Sequence, residues 1–183
     1  MNEKEKMISG LMYNPNTEDL INDRARAKDL CFKFNALPPS EREARKNIIK
    51  QLFSKTTDEF LIESSFYCDY GYNIEIGNNF YTNHNCVILD CAKVTFGDNV
   101  FIGPNCGFYT AIHPVDTEER NSGIESAKPI SIGNNVWIGG NVTVLPGVTI
   151  GDNTVIGAGS VVTKNIPPNV VAVGNPCRSI KQI

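Results

Sequence analysis

From about residue 72 onward, apolar side chains recur at every sixth position. Stepping from Ile132 gives Ile138, Val144, Ile150, Ile156 and Val162 without a miss. Two residues ahead of these six lie Ile130, Val136, Val142, Val148, Thr154 and Ser160. Upstream the step gives Phe96, Ile102 and Phe108, and before that Ile76, Thr82 and Ile88. A pair at i−2 and i on one side of the chain has strand spacing, so each hexapeptide predicts a short strand followed by a turn. The jump from Ile88 to Phe96 exceeds one step by two, which predicts a two-residue insertion near Asp90–Lys93. Phe108 and Ile132 are separated by four whole repeats, so the frame survives the segment between them.

A Gly-x-Asn marker is superposed at Gly77-Asn78-Asn79, Gly97-Asp98-Asn99, Gly133-Asn134-Asn135 and Gly151-Asp152-Asn153. The last two markers are offset by three hexapeptides, so three hexapeptides make one coil. Gly, Asn and Asp tolerate the left-handed backbone region that such tight turns need. The pattern therefore predicts a triangular parallel β-helix with coils about 4.8 Å apart. Residues 74–108 and 130–166 supply about four coils, with a weaker coil expected before them. The period alone leaves the handedness open.

Residues 1–55 read differently, as a helical segment that packs on residues 56–183. Asn2-x-x-Glu5 and Ser40-x-x-Glu43 both have capping-box form, the second just after Pro38-Pro39. Ala44, Ile48, Ile49, Leu52 and Phe53 then follow at helical spacing. Two stretches lack the hexapeptide pattern: residues 109–129, read as an ejected loop, and a tail at 167–183. Long loops on a regular scaffold are more often functional than structural.

Composition narrows the chemistry. A chain of 183 residues supports one good core. A net charge of −3 argues against a surface for DNA or RNA. No apolar run approaches membrane-spanning length. The charged start Met1-Asn2-Glu3-Lys4-Glu5-Lys6 reads as no secretory leader, so the expected compartment is the cytoplasm. The six Cys (31, 68, 86, 91, 106 and 177) then read as reduced thiols that mostly fill the core. Residues 154–183 hold Lys164, Arg178 and Lys181 with no acid, which fits either a solvated end or a small anionic ligand such as a phosphorylated cofactor.

There are only two histidines, which excludes a three-His metal site within one chain. His113 sits at the base of the ejected loop, both rigid and exposed, a place suited to general-base work near neutral pH. His84 falls in a turn, where pocket lining and a satisfied turn histidine stay equally open. Trp137, one before the inward Ile138, must point out of a flat face, as residues at interfaces or ligand grooves do.

Several motifs together resemble the maltose/galactoside O-acetyltransferases, with the nodulation-protein-L type, of the hexapeptide-repeat acyltransferases. They are Asp69-Tyr70-Gly71-Tyr72-Asn73-Ile74, Gly77-Asn78-Asn79-Phe80-Tyr81, Thr110-Ala111-Ile112-His113-Pro114 and Arg120-Asn121-Ser122-Gly123. To these are added Ile132 to Gly139, Pro146 to Gly151, and the ending Gly174-Asn175-Pro176-Cys177-Arg178. The resemblance implies a left-handed β-helix assembled as a homotrimer, using acetyl-CoA, and no metal, to acetylate a sugar hydroxyl in clefts between subunits. By the same resemblance His113 is the catalytic base and the Gly140 N–H the oxyanion donor. Asp69, Tyr81, Asn83, His84 and Glu125 fall on the acceptor side. Trp137, Gly139, Gly140, Ala158, Thr163, Lys164, Arg178 and Lys181 fall on the coenzyme side. Related sequences often carry Phe in place of His84, and residues 13–19 align loosely, so the acceptor is the open quantity. A γ-type carbonic anhydrase on this scaffold needs three His, and a purely structural β-helix does not require His113.

Overall fold

The computed structural model describes residues 1–183 and winds the repeat into a parallel β-helix with three faces. On the first face, Phe60–Ile62, Phe80–Thr82, Phe101–Ile102, Trp137–Ile138, Val155–Ile156 and Val170–Val173 pair in parallel, and Arg178–Gln182 closes the edge antiparallel. The second face stacks Phe66–Cys68, Cys86–Leu89, Gly107–Tyr109, Thr143–Val144 and Val161–Val162. The third stacks Ile74–Ile76, Val94–Phe96, Ile130–Ile132 and Thr149–Ile150.

Every side chain at the two inward positions of the six-step frame is buried, from Ile74 and Ile76 to Ser160 and Val162. Each fully buried Ile, Val or Phe contributes about 1.5–3 kcal/mol, so the repeat is a column of equal increments. The polar exceptions are satisfied locally. Thr154 Oγ1 donates to Pro167 O at 3.1 Å, and Ser160 Oγ to Gly157 O at 2.6 Å. The expected weaker coil before residue 74 is fully formed, with Ile62, Phe66 and Cys68 buried in the same core.

Left-handed residues turn two of the three corners, with Asn85, Asn105, Asn141 and Gly159 at the one between the first and second faces. At the corner between the third and first faces, Asn79, Asn99, Asn135, Asn153 and Asn169 all have positive φ. Their side-chain amides form a ladder, each Nδ2 donating to the next Oδ1 at 2.9–3.0 Å. Here the structure refines the sequence expectation: in Gly-x-Asn it is the Asn, not the Gly, that takes the left-handed region. The glycine is needed for close approach between coils. A Cβ on Gly77 would lie 2.6 Å from Gly97 O, and one on Gly151 would lie 2.5 Å from Pro168 N.

Between the first and second faces, His84, Pro104, Gly140 and Ala158 occupy equivalent places in successive coils. The carbonyls of the first three accept N–H from Asn105, Asn141 and Gly159 at 2.8–2.9 Å. Between the second and third faces the coil lengths vary. Phe66 pairs with Cys86 and Ile74 with Val94, steps that exceed three hexapeptides and place a two-residue insertion in each of the first two coils at this corner. The third coil ejects the long loop here, and beyond it Ile132 pairs with Ile150, the plain step of three hexapeptides. All length variation is therefore confined to one edge of the prism.

Three helices cover the start of the prism: α1 (Glu3–Ile8), α2 (Glu18–Ala36) and α3 (Arg42–Leu52). The Asn2–Glu5 capping box forms as expected. The second one does not: α3 starts at Arg42, Glu41 stands at the N-cap without a side-chain cap bond, and Ser40 lies in the preceding turn. Pro38 and Pro39 set that turn, in which Glu41 N–H reaches Pro38 O at 3.0 Å, so the helix begins late. Ala27, Leu30, Cys31 and Phe34 of α2 and Ile49 and Leu52 of α3 join the β-helix residues in one continuous core.

The outward positions sort by face. The third face shows Glu75, Thr95, Ser131 and Thr149 in register, a polar stripe. The first shows Leu61, Tyr81, Phe101, Trp137, Val155 and Val171 in register, an apolar stripe along its length. Trp137 is 59% exposed there, so it faces outward as its place in the repeat requires.

Candidate active site

The variable corner gathers the ionisable side chains. The ejected segment is an antiparallel pair, Ala111–Ile112 with Ser126–Ala127, joined through a short helix α4 (Thr117–Asn121) capped by Asp116. Arg120 Nη1 donates to Pro114 O at 3.2 Å and Val115 O at 3.0 Å, which pins the turn that follows His113. Just ahead of the strand at Ser126, Glu125 pairs antiparallel with Tyr13. The chain between α1 and α2 thus crosses over the loop.

A cleft of about 260 Å³ opens at this corner, lined by Asp69, His113 and Glu125 together with Asn16, Arg24, Leu89 and Cys91. Glu125 Oε2 lies 3.7 Å from His113 Nε2. The imidazole is 62% exposed and the carboxylate 11%. Tyr13 OH donates to Glu125 Oε1, and the Cys91 thiol lies 3.6 Å from Asp69 Oδ2. Burial pushes the Asp69 carboxyl above its ordinary range, opposed by the Cys91 contact.

Beneath the cleft is an acid that sequence reasoning missed. Asp90 is fully buried, and its carboxylate accepts N–H from Asp69 at 3.0 Å, Tyr70 at 2.9 Å and Asn73 at 3.3 Å. It shapes the turn that carries Asp69. The available signal was its place in the two-residue insertion, next to the inward Ile88. Burial pushes the Asp90 carboxyl up to about 7. The native state therefore holds a proton between about pH 4 and 7 that the unfolded chain has lost, and stability falls as pH rises through that window. In Asp90→Asn, chemical denaturation between pH 4 and 7 should show a flatter profile than the parent, by up to about 4 kcal/mol across the window.

The other sequence-predicted residues lie elsewhere on the prism. Tyr81, Asn83, His84, Trp137, Gly139, Gly140 and Ala158 fall on the first face or at its corner with the second, outside the cleft. His84 makes two local contacts, its N–H donating to Asn83 Oδ1 at 2.7 Å and its Nδ1 touching Ser64 O. Gly139 admits no side chain, since a Cβ would lie 2.6 Å from Ala158 N. The Gly140 N–H donates to no acceptor within the chain. Thr163 and Lys164 sit exposed at the variable corner, and Arg178 and Lys181 on the closing strand, and none of these three cations has an acidic partner.

A larger hollow of about 480 Å³ lies between α3 and the first coil and contains none of the predicted residues. Its buried charge, Arg45, is consumed by structure, bonding Ser64 Oγ at 2.8 Å and the carbonyls of Phe34, Leu37 and Ile62 at 3.2–3.3 Å. No group of three His, Cys, Asp or Glu side chains is arranged to hold a metal ion.

Comparison with known proteins agrees with this architecture. Residues 6–57 match the maltose acetyltransferase hexapeptide capping motif, and residues 129–164 match the bacterial transferase hexapeptide repeats. The chain is 50% identical to galactoside O-acetyltransferase of Escherichia coli, over 98% of this chain and 88% of that protein. A maltose O-acetyltransferase from Clostridium difficile superposes with a TM-score of 0.99 at 55% identity, covering 100% of this chain and 98% of the other. A galactoside acetyltransferase in complex with coenzyme A superposes at 0.96 and 49% identity, covering 100% and 92%.

Proposed function

Since the chain belongs to the maltose and galactoside O-acetyltransferases of the hexapeptide-repeat type, we propose that it moves acetyl from acetyl-CoA to a sugar hydroxyl, of the maltose, glucose or galactoside kind and at a primary 6-OH. The observation that carries this reading is an exposed imidazole on the rim of a cleft whose carboxylates accept hydrogen bonds. Asp69 and Glu125 offer oxygens to hydroxyl donors, which suits a polyol. A cleft of about 260 Å³ has room for about one sugar ring.

In this mechanism His113 Nε2 takes the proton as the acceptor oxygen attacks the thioester carbonyl carbon, in one complex of both substrates with no acyl-enzyme. The Gly140 N–H, unengaged within the chain, serves the developing oxyanion. The exposed Trp137 indole and the small Gly139 and Ala158 offer a surface for the coenzyme arm. Thr163, Lys164, Arg178 and Lys181 meet its phosphates, and the cations' lack of acidic partners leaves them free to do so.

His113, Asp69 and Glu125 lie at one corner of the prism and Gly140, with Trp137, Gly139 and Ala158, at another, so the reading requires a second copy to bring base and oxyanion donor together. The apolar stripe on the first face supports the same arrangement, with Leu61, Phe101 and Trp137 exposed in register. A homotrimer with sites between subunits follows as part of the proposal.

The test is thiol release from acetyl-CoA, scanned over maltose, glucose, galactosides, amino sugars and hydroxylated antibiotics, with sedimentation to read the assembly. Turnover with a neutral sugar by a trimer is the expected result. Turnover restricted to an amine or an antibiotic would move the acceptor class, and a monomer with full activity would remove the shared site.

A further inference from the structure

The Glu125 carboxylate faces His113, with Oε2 at 3.7 Å from Nε2. Glu125 is itself held from several sides. Tyr13 N–H reaches Glu125 O at 2.9 Å, and Glu125 N–H reaches Tyr13 O at 3.0 Å. The Tyr13 hydroxyl donates to Oε1, and the Cys91 thiol approaches the same oxygen at 4.0 Å. Oε1 is therefore engaged, and Oε2 is left facing the imidazole. Tyr13 is 1% exposed, and burial pushes its phenol up, so it stays a donor throughout the working pH range. A buried tyrosine spent on a carboxylate so distant in sequence is costly unless that carboxylate must be aimed.

We propose that Tyr13 is a positioning residue, and that Glu125, aimed by it, stabilises the imidazolium that forms on His113. The proposal rests on His113 being the base. As the acceptor oxygen bonds to the carbonyl carbon, its proton passes to Nε2, and a full cation then stands beside the carboxylate. When the carbon–sulfur bond breaks, Nε2 returns that proton to the departing sulfur, which leaves as the thiol. Glu125 stays ionised from start to finish, so its contribution is electrostatic and is greatest when the imidazole is charged. A residue that merely bound the acceptor would act equally before and during the reaction.

The experiment uses the full chain and steady-state thiol release with the best-accepted sugar, alongside thermal unfolding of each variant. Glu125→Gln should lower kcat about 10- to 100-fold and leave the acceptor KM within about threefold. Tyr13→Phe keeps the ring and the backbone pairing, and should lower kcat about 3- to 10-fold. Added to Glu125→Gln, Tyr13→Phe should have no further effect, because it acts through the carboxylate. A raised KM with unchanged kcat in Glu125→Gln would make Glu125 an acceptor ligand only and overturn the proposal. Independent, multiplying effects would overturn the positioning role of Tyr13, as would loss of the folding transition in Tyr13→Phe. If no sugar is accepted, thiol release with water as acceptor gives the same comparison. Full activity in His113→Ala would instead sink the base assignment itself, and that variant separates the two failures.

Discussion

Replacing His113 with alanine should lower kcat by about 10²- to 10⁴-fold while coenzyme A binding survives. The reason lies in where the residue stands. Its imidazole is largely exposed and contributes nothing to the core, so its removal leaves no cavity. The loop around it is secured by other contacts, the Arg120 bonds to Pro114 and Val115 and the pairing of Ala111–Ile112 with Ser126–Ala127. An unchanged melting transition with collapsed turnover is thus the expected signature, and calorimetry with coenzyme A should give an unaltered affinity. Retained turnover would move the base to His84, the other imidazole in the chain. A lost transition would make His113 structural.

The second large effect is on stability. Phe108→Ala should destabilise the fold by about 3–5 kcal/mol, read by denaturant unfolding. Phe108 is fully buried and stacks edge-on against Phe96, with ring centroids 5.1 Å apart, and Phe96 in turn meets Phe80 at 5.0 Å. A rigid coil cannot collapse into the gap, because its backbone is fixed by pairing to the coils on both sides. Phe108 also immediately precedes the segment that carries His113, so activity should fall together with stability. A loss below about 1 kcal/mol would show that the interior relaxes more than its pairing allows.

These effects also mark how far the residues alone could be read. The six-step frame was legible from Ile74 to Val162, because a coil of three hexapeptides leaves no alternative place for an apolar side chain at i−2 or i. Beyond it the last coil is two residues shorter, Ile150 pairing with Ile166 and Ile156 with Ala172, so the inward Val170 and Ala172 fell in what read as a tail. The uneven step from Ile88 to Phe96 located an insertion, but its twin beside Cys68 lay in a coil with a fainter pattern. The Ser40 capping box had the right letters and failed, since the adjacent prolines hold Ser40 in a turn rather than at the helix start. His113 stood out by its place at the frame's longest break. Tyr13, Asp90 and Cys91 did not, because each matters through a contact with residues at least a whole coil away, and no local period encodes such a meeting. The spread of the other predicted residues over two corners, the first face and the closing strand likewise needed three dimensions to be seen.

The confinement of every insertion to one edge has a consequence for how such a molecule can change. Two edges are locked, one by the amide ladder and glycine contacts, the other by backbone hydrogen bonds from coil to coil. The remaining edge accepts extra residues without disturbing the register of any strand, as the longer early coils and the plain later ones already demonstrate. Loop closure entropy grows only slowly with length, so longer or shorter segments there are tolerated thermodynamically. The scaffold thus decouples durability from selectivity. Varying the length of this edge, with Asp90, His113 and Glu125 kept in place, would reshape the cleft while the strand register of the prism stays the same.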